Sequence, residues 1–401
     1  MDGYGLRYYA DFDSFKGWTE HYRLNIFLKG YNYPEQPASR LLFSAVPVVQ
    51  EWQDDDPKQP IRGCTLDCKF ITDTSGVHLS DFYSEDDLQF YCEFRNFNTD
   101  QLLFAGFLLQ DDCAEIEVDF NHEIRLLFTD MLGTLKDVTL DQAAVIAGQW
   151  HTETGVLFQD YSPAANNTIQ SNDPRVGVLK NGDVFKITYG FQTYTYTCYN
   201  ITYSTLLGYL INIGNPPDIP NYPVSCDFTY KIPYPLDGYV PLIDILKLCL
   251  QSTYLQLQLR SFVNIYPITD SHSALEEIWQ DTFVTANDYF DGTNWNDCYT
   301  ILENIMSRFT CSLMQIDGTW VIIRWPEIYK YTKPNGVDFR GHYFDWDFTY
   351  IGPTAFQSDF VFANGTDMET GVVRSIERPK LYSQETFNYN QNEMLKNANL
   401  Q

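Results

Sequence analysis

Residues 115–128 read EIEVDFNHEIRLLF, and their alternation decides the fold class. Ile116, Val118 and Phe120 alternate with Glu115, Glu117 and Asp119; past Asn121-His122, Ile124, Leu126 and Phe128 alternate back. Successive strand side chains point to opposite faces, so each run reads as a half-buried strand and the polar pair Asn121-His122 as the turn of a hairpin. Residues 129–138, TDMLGTLKDV, change period: Met131, Leu132 and Leu135 take helix-like spacing, which predicts a short helix or turn capping the β-unit.

The same β-pattern continues upstream. Residues 23–28 (RLNIFL), 63–71 and 89–94 show partial apolar/polar alternation with β-formers, bounded by Gly, Pro, Asp or Ser clusters. Downstream, residues 183–189 and 193–203 predict strands, the second dense in alternating Tyr and Thr. Residues 162–173 read as a polar loop, and Asn215-Pro216-Pro217-Asp218-Ile219-Pro220 can continue neither a helix nor a central strand.

Two similar units follow. Leu242, Ile245, Leu246 and Cys249 share one helical face behind Pro241, which suits a first turn, and residues 255–266 predict a strand after that helix. Cys298, Ile301, Leu302, Ile305, Met306 and Phe309 form the stripe of an amphipathic helix. Residues 311–316 and 319–324 then flank Asp317-Gly318, a strong hairpin signal. The tail from Pro326 mixes short aromatic strands with turns, and its last dozen residues, rich in Asn and Gln, are expected to be mobile or to lead into something else. The expected class is mainly β with some α, carrying two short amphipathic helices.

Composition supports a β-rich, folded chain. Aromatics make up 16% of the 401 residues, with 29 Tyr and 28 Phe, residues that favour pleated, half-buried surfaces. The 53 acids outnumber the 26 bases and leave a formal charge of −27, so the chain repels phosphate backbones and anionic lipid, which argues against a nucleic-acid reader. High net charge also serves simple solubility. The first residues lack the basic and apolar regions of a signal peptide, and the most apolar stretch, residues 206–213, is broken by Gly208 and Asn212. It falls short of the roughly 20 residues of a spanning helix, so no membrane insertion is expected.

Nine cysteines, an odd number, point to free thiols in a reducing compartment. The closest pair, Cys64 and Cys68, would lie about 13 Å apart on a strand, beyond disulfide reach. No CxxC occurs, which leaves zinc and redox readings weak.

No catalytic constellation stands out. The sequence lacks GxSxG, GxxxxGK[ST], HExxH and GxGxxG motifs, and its histidines (His21, His78, His122, His151, His272, His342) are isolated. Asp11-Phe12-Asp13-Ser14 begins like a calcium loop, but Phe15 and Lys16 stand where a ligand and the bend-forming Gly belong. Asp54-Asp55-Asp56 and Asp111-Asp112 read as solvated turns, and the sequons at Asn166, Asn200 and Asn364 carry little without secretion. No catalytic residue, cofactor or metal site is therefore expected.

Two stretches resemble the tail-tip and baseplate hub proteins of tailed bacteriophages. Residues 103–138 are similar to a family pattern in which a Gly-Phe-Leu strand precedes an acidic turn, a hairpin and an Asp-Gly-Leu-Gly-x-Leu-Lys-Asp segment. Gly106-Phe107-Leu108, Asp111-Asp112, Asp130, Gly133, Leu135, Lys136 and Asp137 carry the match, with Met131 where that family usually has Gly. Residues 295–324 resemble a helix followed by a hairpin reading Gln-x-x-Gly-x-Trp-x-Ile-x-Arg, matched at Gln315, Gly318, Trp320, Ile322 and Arg324. The helix near Leu242 looks like the earlier helix of such hubs.

The resemblance implies a division into residues 1–140, a first hub β-barrel domain; 141–235, an inserted β-domain with a Pro-rich exit linker; 236–330, a second hub domain; and 331–401, a C-terminal β-segment and tail. It also implies a homotrimer whose six barrels close the tail tube, joined to the tube or distal tail protein and to a spike or central fibre. Viral DNA would pass an acidic lumen without specific binding, and the location would be the virion tail, assembled in the host cytoplasm. Aromatic-rich, lysine-poor surfaces suit such contacts. Two alternatives stay open: a carbohydrate-binding or glycoside-hydrolysing β-protein, since Tyr and Trp platforms and acidic clefts suit sugars, and a secreted β-sandwich adhesin.

Overall fold

The computed structural model describes residues 3–355 except 14–20, 32–37, 54–58, 73–76, 119–120, 161–166, 206, 214–218, 237, 264–277 and 325–339. The fold is mainly β with short helices. Ten strands come first: β1 (Tyr4–Asp13), β2 (His21–Lys29), β3 (Ser39–Arg40), β4 (Leu42–Trp52), β5 (Ile61–Arg62), β6 (Cys64–Thr72), β7 (Phe90–Asn96), β8 (Gln101–Leu108), β9 (Ala114–Val118) and β10 (Asn121–Thr129). All but β5 build one sheet in the order β3-β1-β2-β7-β8-β10-β6-β4, with β9 on β10. Because β4 comes back against β1, the sheet is nearly closed, like a barrel.

Period-2 patterning explains its core. Leu24 and Ile26 of β2, Leu66, Cys68 and Phe70 of β6, and Ile124, Leu126 and Phe128 of β10 all turn inward and are buried. Fully burying each large side chain contributes about 1.5–3 kcal/mol. The hairpin anticipated at residues 115–128 is present, but Asn121 pairs with Val118 and His122 with Glu117, so the Asn-His pair belongs to the second strand. Ladder hydrogen bonding outweighs the turn preference of Asn there. Asp11 and Asp13, weighed as calcium ligands, sit on β1 and pair with Arg23 and His21 of β2.

After a short turn of 3-10 helix (Gly133–Asp137), α1 (Leu140–Ile146) leads to the second sheet. Its strands are β11 (Gln149–Asp160), β12 (Thr168–Ser171), β13 (Val184–Tyr189), β14 (Gln192–Thr197), β15 (Asn200–Ser204), β16 (Gly208–Asn212) and β17 (Val224–Ile232). They run β14-β13-β17-β11-β12-β16-β15 around a core of Phe158, Phe185, Ile187, Ile211 and Phe228. The segment read as a polar loop at 162–173 contains β12, because Thr168–Ser171 pairs with both β11 and β16 and buries Ile169. Within the apolar stretch at 206–213, Gly208–Asn212 forms β16.

The remaining elements are β18 (Tyr239–Pro241), α2 (Leu242–Gln251), β19 (Leu259–Phe262), α3 (Ile278–Asp281), β20 (Phe283–Thr285), α4 (Cys298–Phe309), β21 (Ser312–Ile316), β22 (Thr319–Ile323), β23 (Arg340–Phe344) and β24 (Tyr350–Ala355). The strand expected at 255–266 is shorter, β19 alone among the described residues. A third sheet runs β24-β23-β19-β22-β21-β5, so β5, from the first part of the chain, closes its edge in parallel with β21. The expected mobile tail lies outside the described residues.

Both anticipated helices are present, but Val240 and Pro241, expected at the start of the first, belong to β18, and α2 begins at Leu242. Besides its apolar stripe, α2 also buries Ile243, Leu248 and Leu250, so nearly every side of it is packed. Asp297 caps α4 by accepting from the Thr300 amide at 2.8 Å. At the other end Thr310 enters the left-handed region (φ 53°), and Cys311 N–H donates to Met306 O at 2.8 Å, a Schellman-type closure. Asp317 and Gly318 both take positive φ, 50° and 61°, the requirement of a type I′ hairpin.

Candidate functional site

The two stretches that carry the resemblance meet at one buried point. Strand β8 pairs with β7 along one edge, while on the other it meets β10 only at Phe107 and Leu108. The Gln315 side chain of β21 takes over at Ala105. Its Oε1 accepts from Ala105 N–H at 2.8 Å and its Nε2 donates to Ala105 O at 2.9 Å, the reciprocal pair a neighbouring peptide would supply. Gly318 N–H donates to Leu103 O at 3.0 Å, and Trp52 Nε1 donates to Gln315 O at 3.2 Å.

Steric demands explain the glycines. A Cβ on Gly106 would stand 2.4 Å from Thr129 O and 2.8 Å from the Phe104 ring, and one on Gly318 would stand 2.3 Å from Leu102 Cγ. Trp320 and Ile322 are fully buried in the adjoining core. Arg324 Nε donates to Phe309 O at 3.1 Å, satisfying a carbonyl at the end of α4. Each matched residue of the second stretch thus has a packing role.

Asp130 anchors the first stretch. Its carboxylate accepts from Cys64 N–H at 2.7 Å and Leu132 N–H at 3.1 Å, while Asp130 N–H donates to Cys64 O. Complete burial outweighs these bonds and pushes its pKa up to about 7. Met131 follows with φ 65°, the left-handed region that glycine enters freely, at the place where the resembled pattern has Gly. Leu135 is buried, and Lys136 Nζ sits 4.5 Å from the centre of the Tyr299 ring on α4.

The chemistry-bearing residues stay apart. His78 approaches Glu115 at 3.9 Å, His151 pairs with Glu153 at 2.9 Å, and buried His342 lies 3.2 Å from the Tyr350 hydroxyl. His21 pairs with Asp13. Asp111 and Asp112 form an exposed turn, and Asn200 begins β15. His272, residues 54–56, Asn166 and Asn364 lie outside the described residues. Among the described residues no three His, Cys, Asp or Glu side chains converge as a metal-holding group, and no helix is long and apolar enough to cross a membrane. All nine cysteines are free, and eight are buried.

The second sheet carries a surface that the sequence reading passed over. Residues opposite each other in a ladder share a face. One row runs Thr152, Thr229, Lys186, Thr195 across β11, β17, β13 and β14. On one side of it Trp150 pairs with Lys231, and Val184 with Thr197; on the other lie Asp227, Thr188 and Thr193. None of these side chains is buried, because the core lies on the opposite face with Phe185, Ile187 and Phe228. The signal was the Trp-x-Thr-x-Thr alternation of Trp150, Thr152 and Thr154, which was not read as a strand. Beside this face β14 has no further strand partner among the described residues, and Phe191, in the β13–β14 turn, is fully exposed.

Comparison with protein-family models, with curated proteins and with solved structures finds no match.

Proposed function

We propose that the chain is a structural virion protein, a tail-tip or baseplate hub of a tailed bacteriophage that forms a homotrimeric ring closing the tail tube. One observation carries the reading: the two hub-like stretches, far apart in sequence, come together at the Gln315–Ala105 brace, so they behave as one packing module. The nearly closed sheet suits a tube wall. Strand β14, QTYTYT, has no charge and no proline, the composition of an edge that another chain can extend.

In this reading the ring joins the tube or distal tail protein on one side and a spike or central fibre on the other. On the same reading part of the chain's excess of acids lines the lumen, past which DNA slides because counterion release rewards only basic surfaces. No catalysis, cofactor or metal is assigned, and the location is the virion tail.

Light scattering on the purified chain with negative-stain imaging tests the proposal. A particle of three times the 46.6 kDa chain with threefold ring views supports it. A monomer at every concentration sinks it.

A further inference from the structure

We propose that the exposed face of the β14-β13-β17-β11 sheet is a binding site for an acidic polysaccharide, a chain of sugar rings bearing carboxylates at intervals. The inference is independent of how the chain assembles. It rests on hydroxyl rows, an aromatic ring and two cations gathered on one flat surface.

The hydroxyls come first. Thr152, Thr229 and Thr195 occupy three of the four positions in the central row, on strands spaced about 4.8 Å apart. Each hydroxyl can donate and accept, the capacity that a polyhydroxylated ligand requires. Thr152 and Thr229 already lie 2.9 Å apart, Oγ1 to Oγ1, which orients them while leaving lone pairs outward.

The cations set the sign of the ligand. Trp150 holds Lys186 Nζ at 4.4 Å and Lys231 Nζ at 5.4 Å from its ring centre, and keeps 43% of its surface exposed. Lys231 Nζ also donates to Ile146 O at 2.8 Å, which fixes it at the rim. Among the described residues no carboxylate comes within ion-pair distance of either ammonium, in a chain with 53 acids. Two like charges held together without a counterion leave attraction for an anion unspent. Among the described residues of these rows the one carboxylate, Asp227, lies a row beyond Lys186, whose ammonium reaches the other way, to Trp150.

Charge density separates a glycan from nucleic acid. A duplex carries one charge per about 1.7 Å, and two lysines cannot offset its repulsion from a chain of net charge −27. A uronate-bearing chain spaces its charges by whole sugar rings, so hydroxyl contacts and the exposed part of Trp150 contribute alongside the lysines.

Calorimetric titration of the full chain with oligogalacturonate, a neutral oligosaccharide of equal length, and poly-glutamate tests the assignment. Oligogalacturonate binding, with the neutral sugar and poly-glutamate each at least about tenfold weaker, is the expected result. Lys186→Gln and Thr195→Val are surface changes; each is expected to weaken binding, the lysine change by about tenfold or more, with an unchanged melting temperature. No binding of oligogalacturonate, equal binding of poly-glutamate, or full affinity in Lys186→Gln overturns the proposal.

Discussion

Gln315 and Ala105, 210 residues apart, exchange two hydrogen bonds as though the glutamine side chain were a strand. The arrangement exists because β8 loses its neighbour β10 beyond Phe107, leaving a buried backbone N–H and C=O that must be matched.

Replacing this residue exposes that need. Gln315→Leu keeps the volume but orphans both groups of Ala105, each at about 1–3 kcal/mol, so unfolding stability should fall by on the order of 2–5 kcal/mol. Urea denaturation measures it. A loss below about 0.5 kcal/mol, the range of an ordinary surface change, would show that the brace contributes nothing.

Gly106 offers a steric counterpart. A methyl group there meets the Thr129 carbonyl, which is backbone and cannot swing aside, so Gly106→Ala should destabilise by about 1–3 kcal/mol or more. An unchanged melting temperature would refute the close approach of β8 and β10.

Met131 reverses a familiar order. Its side chain is buried, so both truncations lose packing, but alanine retains the cost of the left-handed backbone, about 1–2 kcal/mol. Met131→Gly should therefore be more stable than Met131→Ala by about 1 kcal/mol. Denaturation midpoints in the opposite order would contradict the assigned backbone.

Asp130 gives stability a pH dependence of known sign. Burial holds its folded pKa up to about 7, above the unfolded range near 4, so the folded state binds the extra proton. Its contribution is complete below pH about 4 and is lost as pH rises through about 7, on the order of 4 kcal/mol in all. Comparing the chain with Asp130→Asn cancels other titrations. The stability difference, native chain minus variant, should shrink from pH 4 to pH 7; a difference that is constant or grows sinks the assignment.

The thiols report on the cores. Burial raises Cys64, Cys68 and Cys92, and only Cys113 is partly exposed. An aromatic disulfide reagent should label one thiol slowly in the native chain and all nine after denaturation. Rapid native labelling of several cysteines would contradict the burial pattern.

Much of the fold was legible along the chain. The stripe from Cys298 to Phe309 and Asp317-Gly318 gave α4 and the β21–β22 hairpin, because 3.6-residue periodicity and paired positive φ are local demands. Asn121 misled because its turn preference is weaker than the ladder joining β9 to β10. The short β12 was hidden because Thr168–Ser171 carries a single large apolar residue, Ile169, among polar ones and is held by partners on both sides. The Thr152–Thr195 row was invisible for a similar reason, since it draws one residue from each of four strands.

What the sequence determined by itself is the β-rich class, the two amphipathic helices, the Asp317-Gly318 turn and several of the strands, together with a large negative charge and an odd number of thiols. Those features depend on neighbours a few residues away. Only the tertiary structure decided that Gln315 completes a strand for Ala105, that Asp130 is sealed from water, and that Trp150 gathers two lysines. Each depends on strand order and register, which are fixed by burying one face of a sheet, and no short stretch of chain carries that information.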